Sequence, residues 1–297
     1  MRVGFIGTGL MGLPMAHRIL AAMFSLTAYN RTPTKLETLR AAGAAIAPTP
    51  VALIQAVDCL VLMLTDASAI HATLFSADSQ AALAGKTVIQ MGTIAPSESR
   101  AIAQQVAAAG GSYLEAPVLG SIPEAQAGTL LVMVGSTPAQ FQQWQPLLQC
   151  FGPAPRLIGP VGTAAAVKLA LNQLIGSLTA AFATSLGFVA EQGADVEAFM
   201  AILRDSALYA PTFDKKLQRI RDREFGNPNF PTKHLLKDVN LFLQEIADSP
   251  LNPALPIAVQ QILDQAMEQG LAETDYSSLY TAIAPPHTAA AATPAAD

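Results

Sequence analysis

Along its first half the chain alternates short apolar runs with longer segments in which Ala and Leu recur at helical spacing. The runs Arg2–Ile6, Leu26–Tyr29, Cys59–Leu64, Thr87–Met91, Tyr113–Val118 and Leu130–Val134 are bounded by Gly, Pro or small polar residues. Runs of this kind read as strands buried on both faces. The segments between them, such as Pro96–Ala109, predict helices, so the first half is expected to form a parallel sheet covered on both sides. From about Gly162 the extended runs fade. One Ala/Leu-rich segment reaches about Gln192, and several more helix-like segments follow. The pattern predicts an α/β domain over residues 1–160 and an all-helical domain over 161–284. The last stretch, PPHTAAAATPAAD, has too little periodic apolar pattern to pack, so 285–297 is expected to be a disordered tail. No repeat of fixed period is visible.

Composition narrows the partners. Half of the 297 residues are hydrophobic and 13% are charged, enough apolar content for a large core. The 17 basic and 22 acidic residues give a net charge of −5 with no basic block, which argues against a nucleic-acid partner. Polar or glycine residues break the longest apolar runs short of a membrane span, and no charged start is followed by an apolar export core. A cytoplasmic protein without a membrane partner is expected. Cys59 and Cys150 have no disulfide or metal-ligand spacing; Cys59, inside CLVLML, reads as a small buried hydrophobe. No metal is expected.

The candidate chemistry begins directly after the first strand, at Gly7-Thr8-Gly9-Leu10-Met11-Gly12. A lone G-x-G-x-x-G is weak evidence, but this one joins a predicted strand to a predicted helix over Leu10–Ala22. Gly7 allows the tight turn, Gly9 lets the backbone approach a pyrophosphate, and Gly12 lets helix and strand pack closely. The helix N-terminus then offers N–H groups and a positive dipole end to phosphates. The alternative is a glycine-rich turn without a ligand.

About twenty residues beyond such a turn, a fold that binds NAD places an acid against the adenosine ribose. Here the stretch reads TAYNRTPTK, with Asn30, Arg31 and Thr32 in that place and Lys35 close behind. A guanidinium donates a forked pair of hydrogen bonds to a phosphate. Arg31 is therefore expected to hold the 2′-phosphate of NADP (NADPH), with Asn30, Thr32 and Lys35 as further donors. The bland alternative is a solvated surface arginine.

A second informative stretch is Gly159-Pro-Val-Gly-Thr-Ala-Ala-Ala-Val-Lys168-Leu-Ala-Leu-Asn172. On a helix Lys168 and Asn172 share one face, one turn apart. Their neighbours are Ala, Leu and Val, so Lys168 is either a buried group with a partner and a depressed pKa or a lysine that snorkels to water.

GFIGTGLMGLPMA at the start, EAPVLGS at 115–121, the G-x-x-x-x-x-K-x-x-x-N element ending at Asn172, and KDVNL at 237–241 occur in that order. Together they resemble the β-hydroxyacid dehydrogenase family, relatives of 6-phosphogluconate and 3-hydroxyisobutyrate dehydrogenases, up to about residue 284. YNRT and FPTKHLLKD look most like its NADPH-linked glyoxylate and succinic semialdehyde reductase branch. The resemblance implies a Rossmann-type domain, a long interdomain helix and a homodimer or homotetramer. It implies that Lys168 donates a proton to a substrate carbonyl as hydride arrives, and that Asn172 orients the lysine or the substrate. It places Thr93 beside the nicotinamide, and Leu10, Met11, Leu64 and Thr65 along the cofactor groove. Lys237 falls near the cofactor, Asp238 steadies a lysine, and Phe230 lines the substrate pocket.

One position departs from the family. Leu119 stands where a serine commonly helps bind the substrate carboxylate, leaving the backbone of Gly120 and the hydroxyl of Ser121. The substrate is accordingly expected to be glyoxylate, succinic semialdehyde or a less polar aldehyde. Alternatives are a 3-hydroxyisobutyrate-type dehydrogenase, an imine reductase, whose relatives usually lack the lysine, and an NADP-binding regulatory module without catalysis.

Overall fold

The structure is a computed structural model that describes residues 1–286; the expected tail lies outside the described residues from 287 on. The chain divides into two compact units, Met1–Leu171 with Gln244–Ser249, and Asn172–Leu243 with the described residues from Pro250 onward.

The first unit holds nine strands: β1 (Arg2–Ile6), β2 (Ser25–Tyr29), β3 (Ala45–Ile46), β4 (Cys59–Leu62), β5 (Thr87–Gln90), β6 (Ser112–Glu115), β7 (Val118–Leu119), β8 (Leu131–Gly135) and β9 (Arg156–Gly159). Helices α1 (Gly12–Ala21), α2 (Glu37–Ala41), α3 (Pro50–Ala56), α4 (Ala67–Leu74), α5 (Ala77–Ala81), α6 (Pro96–Ala108), α7 (Ile122–Ala127) and α8 (Pro138–Leu148) lie between them, and α9 (Thr163–Glu191) follows. The strand order is β3-β2-β1-β4-β5-β6-β8-β7, with β9 beside β8. Pairing is parallel from β3 through β6.

The apolar runs are continuous because both faces of the sheet are covered. Val3, Phe5, Val61, Ile89 and Leu114 enter one core, while Ile6, Leu60, Leu62, Val88 and Tyr113 enter the other. Cys59 belongs to the first core, and burial pushes its thiol up to about 12.

The expected all-parallel sheet needs a correction at one edge. The run read as one strand over Tyr113–Val118 breaks at Ala116-Pro117, where proline has no N–H for the ladder, and β7 and β8 pair antiparallel. Two short strands, β3 and β9, carry too few apolar residues to stand out in the pattern.

A second correction concerns α9. Lys168, Asn172 and Gln173 interrupt its apolar run in the sequence, but the helix continues through them. Among the described residues it alone is long and apolar enough to cross a membrane, with a mean hydropathy of 1.4. The core helix of a water-soluble domain passes the same test.

The second unit takes α9 from Asn172 onward and adds α10 (Val196–Asp205), α11 (Pro211–Asp222), α12 (Thr232–Ile246, to Leu243), α13 (Ala254–Glu268) and α14 (Leu279–Ile283). Its core gathers Phe182, Leu186, Phe213, Leu217, Leu235, Val239, Leu263 and Leu279, with the rings of Phe182 and Phe213 stacked at 4.7 Å. One ion pair is buried in it. The Lys216 ammonium lies 2.7 and 2.9 Å from the two Asp275 oxygens, and 4.2 Å from the centre of the Tyr276 ring. Burial lowers the pKa of Lys216 against the pull of Asp275. Removing one member of such a pair costs about 3–5 kcal/mol, because the other charge stays buried.

Candidate active site

Strand β1 lies between β2 and β4: the chain builds outward from β1 through β2 to β3 and then returns past β1 to place β4 on its other side, so the strand order reverses here. The carboxyl ends of the strands at such a switch point form the crevice where open α/β sheets bind ligands. Gly7 begins there, with φ +99° and its position pressed against the Met63 backbone. Gly12 is likewise closed by the Gly7 carbonyl and the Phe5 ring. Gly9 differs. A Cβ built on it would meet nothing within 4 Å, and its φ is ordinary. The protein's own packing therefore does not require glycine at this position, whereas a phosphate lying on the backbone would. No side chain caps the N-terminus of α1, which starts at this same turn. These features fit the pyrophosphate of a dinucleotide.

The loop after β2 is tied to this turn by Asn30. The Thr8 N–H donates to Asn30 Oδ1 at 3.1 Å, and Asn30 Nδ2 donates to the Thr32 carbonyl at 3.0 Å. Asn30 is thus engaged in holding two loops together, with one amide proton left over. Arg31, Thr32 and Lys35 are exposed beside it. A cavity of about 430 Å³ opens next to them, lined among others by Tyr29, Asn30, Pro33 and Arg40.

Leu64 and Thr65 follow β4, and Thr93 follows β5, at the same edge. These two loops approach closely: a Cβ on Gly92 would run into the Leu64 carbonyl. Gln90 Nε2 braces the second loop by donating to the Gly92 carbonyl at 3.1 Å. Leu10, beside Gly9, is 52% exposed, and Met11 is half-buried against the core of one sheet face.

Lys168, half-buried, stands near the start of α9. The helix begins at the edge where β6 ends. Glu115, the last residue of β6, accepts hydrogen bonds from the N–H groups of Gly162, Ala164 and Ala165 at 2.9, 2.9 and 3.0 Å. Sequence reasoning did not single out Glu115; the one available signal was a carboxylate ending an apolar strand.

Leu119 is half-buried in β7, and Gly120 has φ +135° with Leu130 and Glu124 packed against it. Ser121 is committed to Glu124, to whose Oε2 its hydroxyl donates at 2.7 Å and its N–H at 2.8 Å. The hydroxyl keeps lone pairs but has no second proton to offer.

In the helical unit, Asn172 and Asp238 are 1% and 2% exposed, and Asn172 Nδ2 donates to Asp238 Oδ2 at 2.6 Å. The Lys237 ammonium lies 2.8 Å from Asp238 Oδ1. Asp238 thus fixes Lys237, its chain neighbour, and one carboxamide. Phe230 packs edge-on against Tyr276 at 5.8 Å.

The glycine turn at the switch point, with both faces of the sheet covered, defines a dinucleotide-binding α/β domain. Residues 2–162 match the NAD binding domain of 6-phosphogluconate dehydrogenase, and residues 162–283 match the family described as NAD-binding of NADP-dependent 3-hydroxyisobutyrate dehydrogenase. The chain belongs to the β-hydroxyacid dehydrogenase family, NAD(P)-dependent enzymes acting on CH–OH groups. It is 32% identical to 2-hydroxy-3-oxopropionate reductase of Escherichia coli, over 95% of this chain and 97% of that one. It is 29% identical to glyoxylate/succinic semialdehyde reductase 1 of Arabidopsis thaliana, over 95% and 98%. The crystal structure of a 3-hydroxyisobutyrate dehydrogenase from Salmonella typhimurium has the same fold, with a TM-score of 0.85, 24% identity, and coverage of 95% and 99%.

Proposed function

We propose that the enzyme reduces a short aldehyde acid to its hydroxy acid with NADPH, glyoxylate and succinic semialdehyde being the leading substrates, and with Lys168 as the proton donor. The observation that carries the reading is the placement of Lys168. It stands one turn into a helix whose first N–H groups are bound to the end of β6, the edge at which the glycine turn and Thr93 also lie. Bound NADPH supplies the hydride. The Lys168 ammonium hydrogen-bonds the substrate carbonyl oxygen, stabilises the charge developing there and delivers the proton. Asn172, held by Asp238, orients the lysine or the substrate, and Arg31 selects the 2′-phosphate. Thr93, Leu64 and Thr65 border the nicotinamide side, Lys237 assists at the cofactor, and Phe230 borders the substrate. The location is cytoplasmic, which two buried, unpaired cysteines fit.

The test is nicotinamide absorbance with a panel of aldehydes, aldehyde acids and cyclic imines. Consumption of NADPH with glyoxylate or succinic semialdehyde supports the reading. Turnover confined to imines would overturn it.

A less polar aldehyde is favoured by a specific observation. Leu119 has no side-chain donor, and the hydroxyl and N–H of Ser121 both serve Glu124, so neither residue's side chain has a proton to spare for a carboxylate. A missing hydrogen bond to a charged group is worth about 1.5–3 kcal/mol. Leu119→Ser should therefore lower KM for carboxylate-bearing aldehydes by about tenfold, with KM for an uncharged aldehyde of similar size unchanged. An equal effect on both, measured by steady-state kinetics, would remove this loop from the substrate site.

The proposal includes assembly as a homodimer or homotetramer through α9. At 1.5 Å per residue the helix is about 43 Å long, and Leu174, Leu178 and Phe188, on one of its faces, are 50%, 37% and 66% exposed. A cavity of about 510 Å³ beside Phe188, lined also by Gly187, Ile283 and Pro285, extends that face. Large apolar side chains exposed along one helix face mark an interaction site. Light scattering at micromolar concentration is expected to give at least twice the chain mass, and Phe188→Asp to shift it toward the monomer. A wild-type monomer would refute the assignment.

A further inference from the structure

Glu115 takes no part in the chemistry proposed above, yet it is among the most heavily engaged side chains of the first unit. It is 1% exposed. Its side chain passes over Gly135 of β8, where a Cβ would lie 2.6 and 2.8 Å from its Cγ and carboxyl carbon. Oε1 takes the three N–H groups that open α9, and Oε2 accepts from the Ser99 hydroxyl. Ser99 Oγ lies 2.8 Å from the Tyr113 hydroxyl. Because Ser99 gives its one proton to Glu115, Tyr113 must donate to Ser99, and the chain of hydrogen bonds runs into the carboxylate. Burial raises the pKa of Glu115, while Ser99 and the three N–H groups pull it down.

A helix leaves its first N–H groups without partners inside the helix, and a side chain just before the helix usually takes one of them. Here Gly162 turns with φ +99°, and the cap comes from a strand 47 residues earlier in the chain. The start of α9 is consequently fastened to the sheet edge. Lys168 is three residues beyond Ala165, a rise of about 4.5 Å. Any slip or rotation of the first turn therefore moves its ammonium by a comparable amount.

We infer that Glu115 is a positioning residue for Lys168, setting the height and rotation of the first turns of α9 so that the ammonium meets the substrate carbonyl. The inference rests on Lys168 being the proton donor. A misplacement of about 1 Å in a reacting group can cost on the order of 10²-fold in rate.

The test compares Glu115→Ala, Glu115→Gln and Lys168→Ala, each assayed well below its own melting temperature. Glu115→Ala is expected to lower kcat about 10–100-fold with the Kd for NADPH within about twofold of wild type. Glu115→Gln keeps an oxygen for the three N–H groups and should restore kcat to within a few fold. Should Glu115→Ala fail to fold, Gly135→Ala displaces the carboxylate without deleting it, and the same loss of kcat is expected. Wild-type kcat in the folded variant, with only a lower melting temperature, would make Glu115 a structural cap and overturn the inference. Lys168→Ala separates the two failures. Near wild-type turnover there removes the proton donor, and the positioning role with it, whereas an inactive Lys168→Ala beside a fully active Glu115→Ala removes the positioning role alone.

Discussion

Replacing Lys168 with alanine is expected to lower kcat for carbonyl reduction by about 10²–10⁴, the usual contribution of a positioned general acid. The carbonyl oxygen gains negative charge as hydride arrives, and without the ammonium that charge forms with neither a cation nor a proton donor supplied by position 168. The Kd for NADPH should change little, because the glycine turn and the loop carrying Arg31 are left intact. Single-turnover oxidation of bound NADPH measures the chemical step apart from product release. Lys168→Arg sharpens the result. Arginine keeps the positive charge but cannot give up a proton near neutral pH, so a variant as slow as alanine separates proton donation from electrostatic attraction. A lysine that merely snorkels would behave otherwise. Its loss would shift the melting temperature modestly and leave turnover within a few fold, an outcome that would remove Lys168 from the chemistry.

What could be read in advance divides along physical lines. The glycine turn was legible because three local demands, a tight turn, an open approach and close helix packing, each require the same residue at a fixed offset from an apolar strand. The two domains' characters were legible from the loss of extended runs near Gly162. Glu115 was not, since its partners are backbone N–H groups 47 to 50 residues downstream, and a backbone group leaves no mark in composition. The engagement of Ser121 by Glu124 was hidden for a different reason: the spacing S-x-x-E was present, but the Ser121 hydroxyl was read as a contact left for the substrate carboxylate. Likewise Asp238 was expected to steady a lysine, and the fold gives it Lys237 together with Asn172, a pairing across 66 residues. The antiparallel pairing of β8 with β6 and β7 was missed because an apolar run does not show in which direction its strand will run.

Arg31→Asp should reverse the cofactor preference. In the wild-type enzyme kcat/KM for NADPH is expected to exceed that for NADH by at least about tenfold, the equivalent of about 1.4 kcal/mol. Asn30 binds the loop to the glycine turn through Thr8, which keeps Arg31 beside the place where the adenosine ribose lies against a turn of this type. Charged hydrogen bonds are worth about 1.5–3 kcal/mol each when formed, so a forked pair could supply more than tenfold. Arg31 is exposed, however, and salt screens such a contact, which makes tenfold the lower figure to expect near 0.1 M salt. Aspartate removes both donors and puts a negative charge against the 2′-phosphate, while for NADH it offers an acceptor to the two ribose hydroxyls. Repulsion of one cofactor and attraction of the other act together, as a specificity reversal requires. At saturating NADH the kcat of Arg31→Asp should stay within a few fold of wild type, since Lys168 and the substrate loop are untouched. The ratio of efficiencies should also flatten with added salt in the wild-type enzyme, because the phosphate contact is exposed. Equal wild-type efficiency with the two cofactors at low salt would show that Arg31 is only a solvated surface arginine.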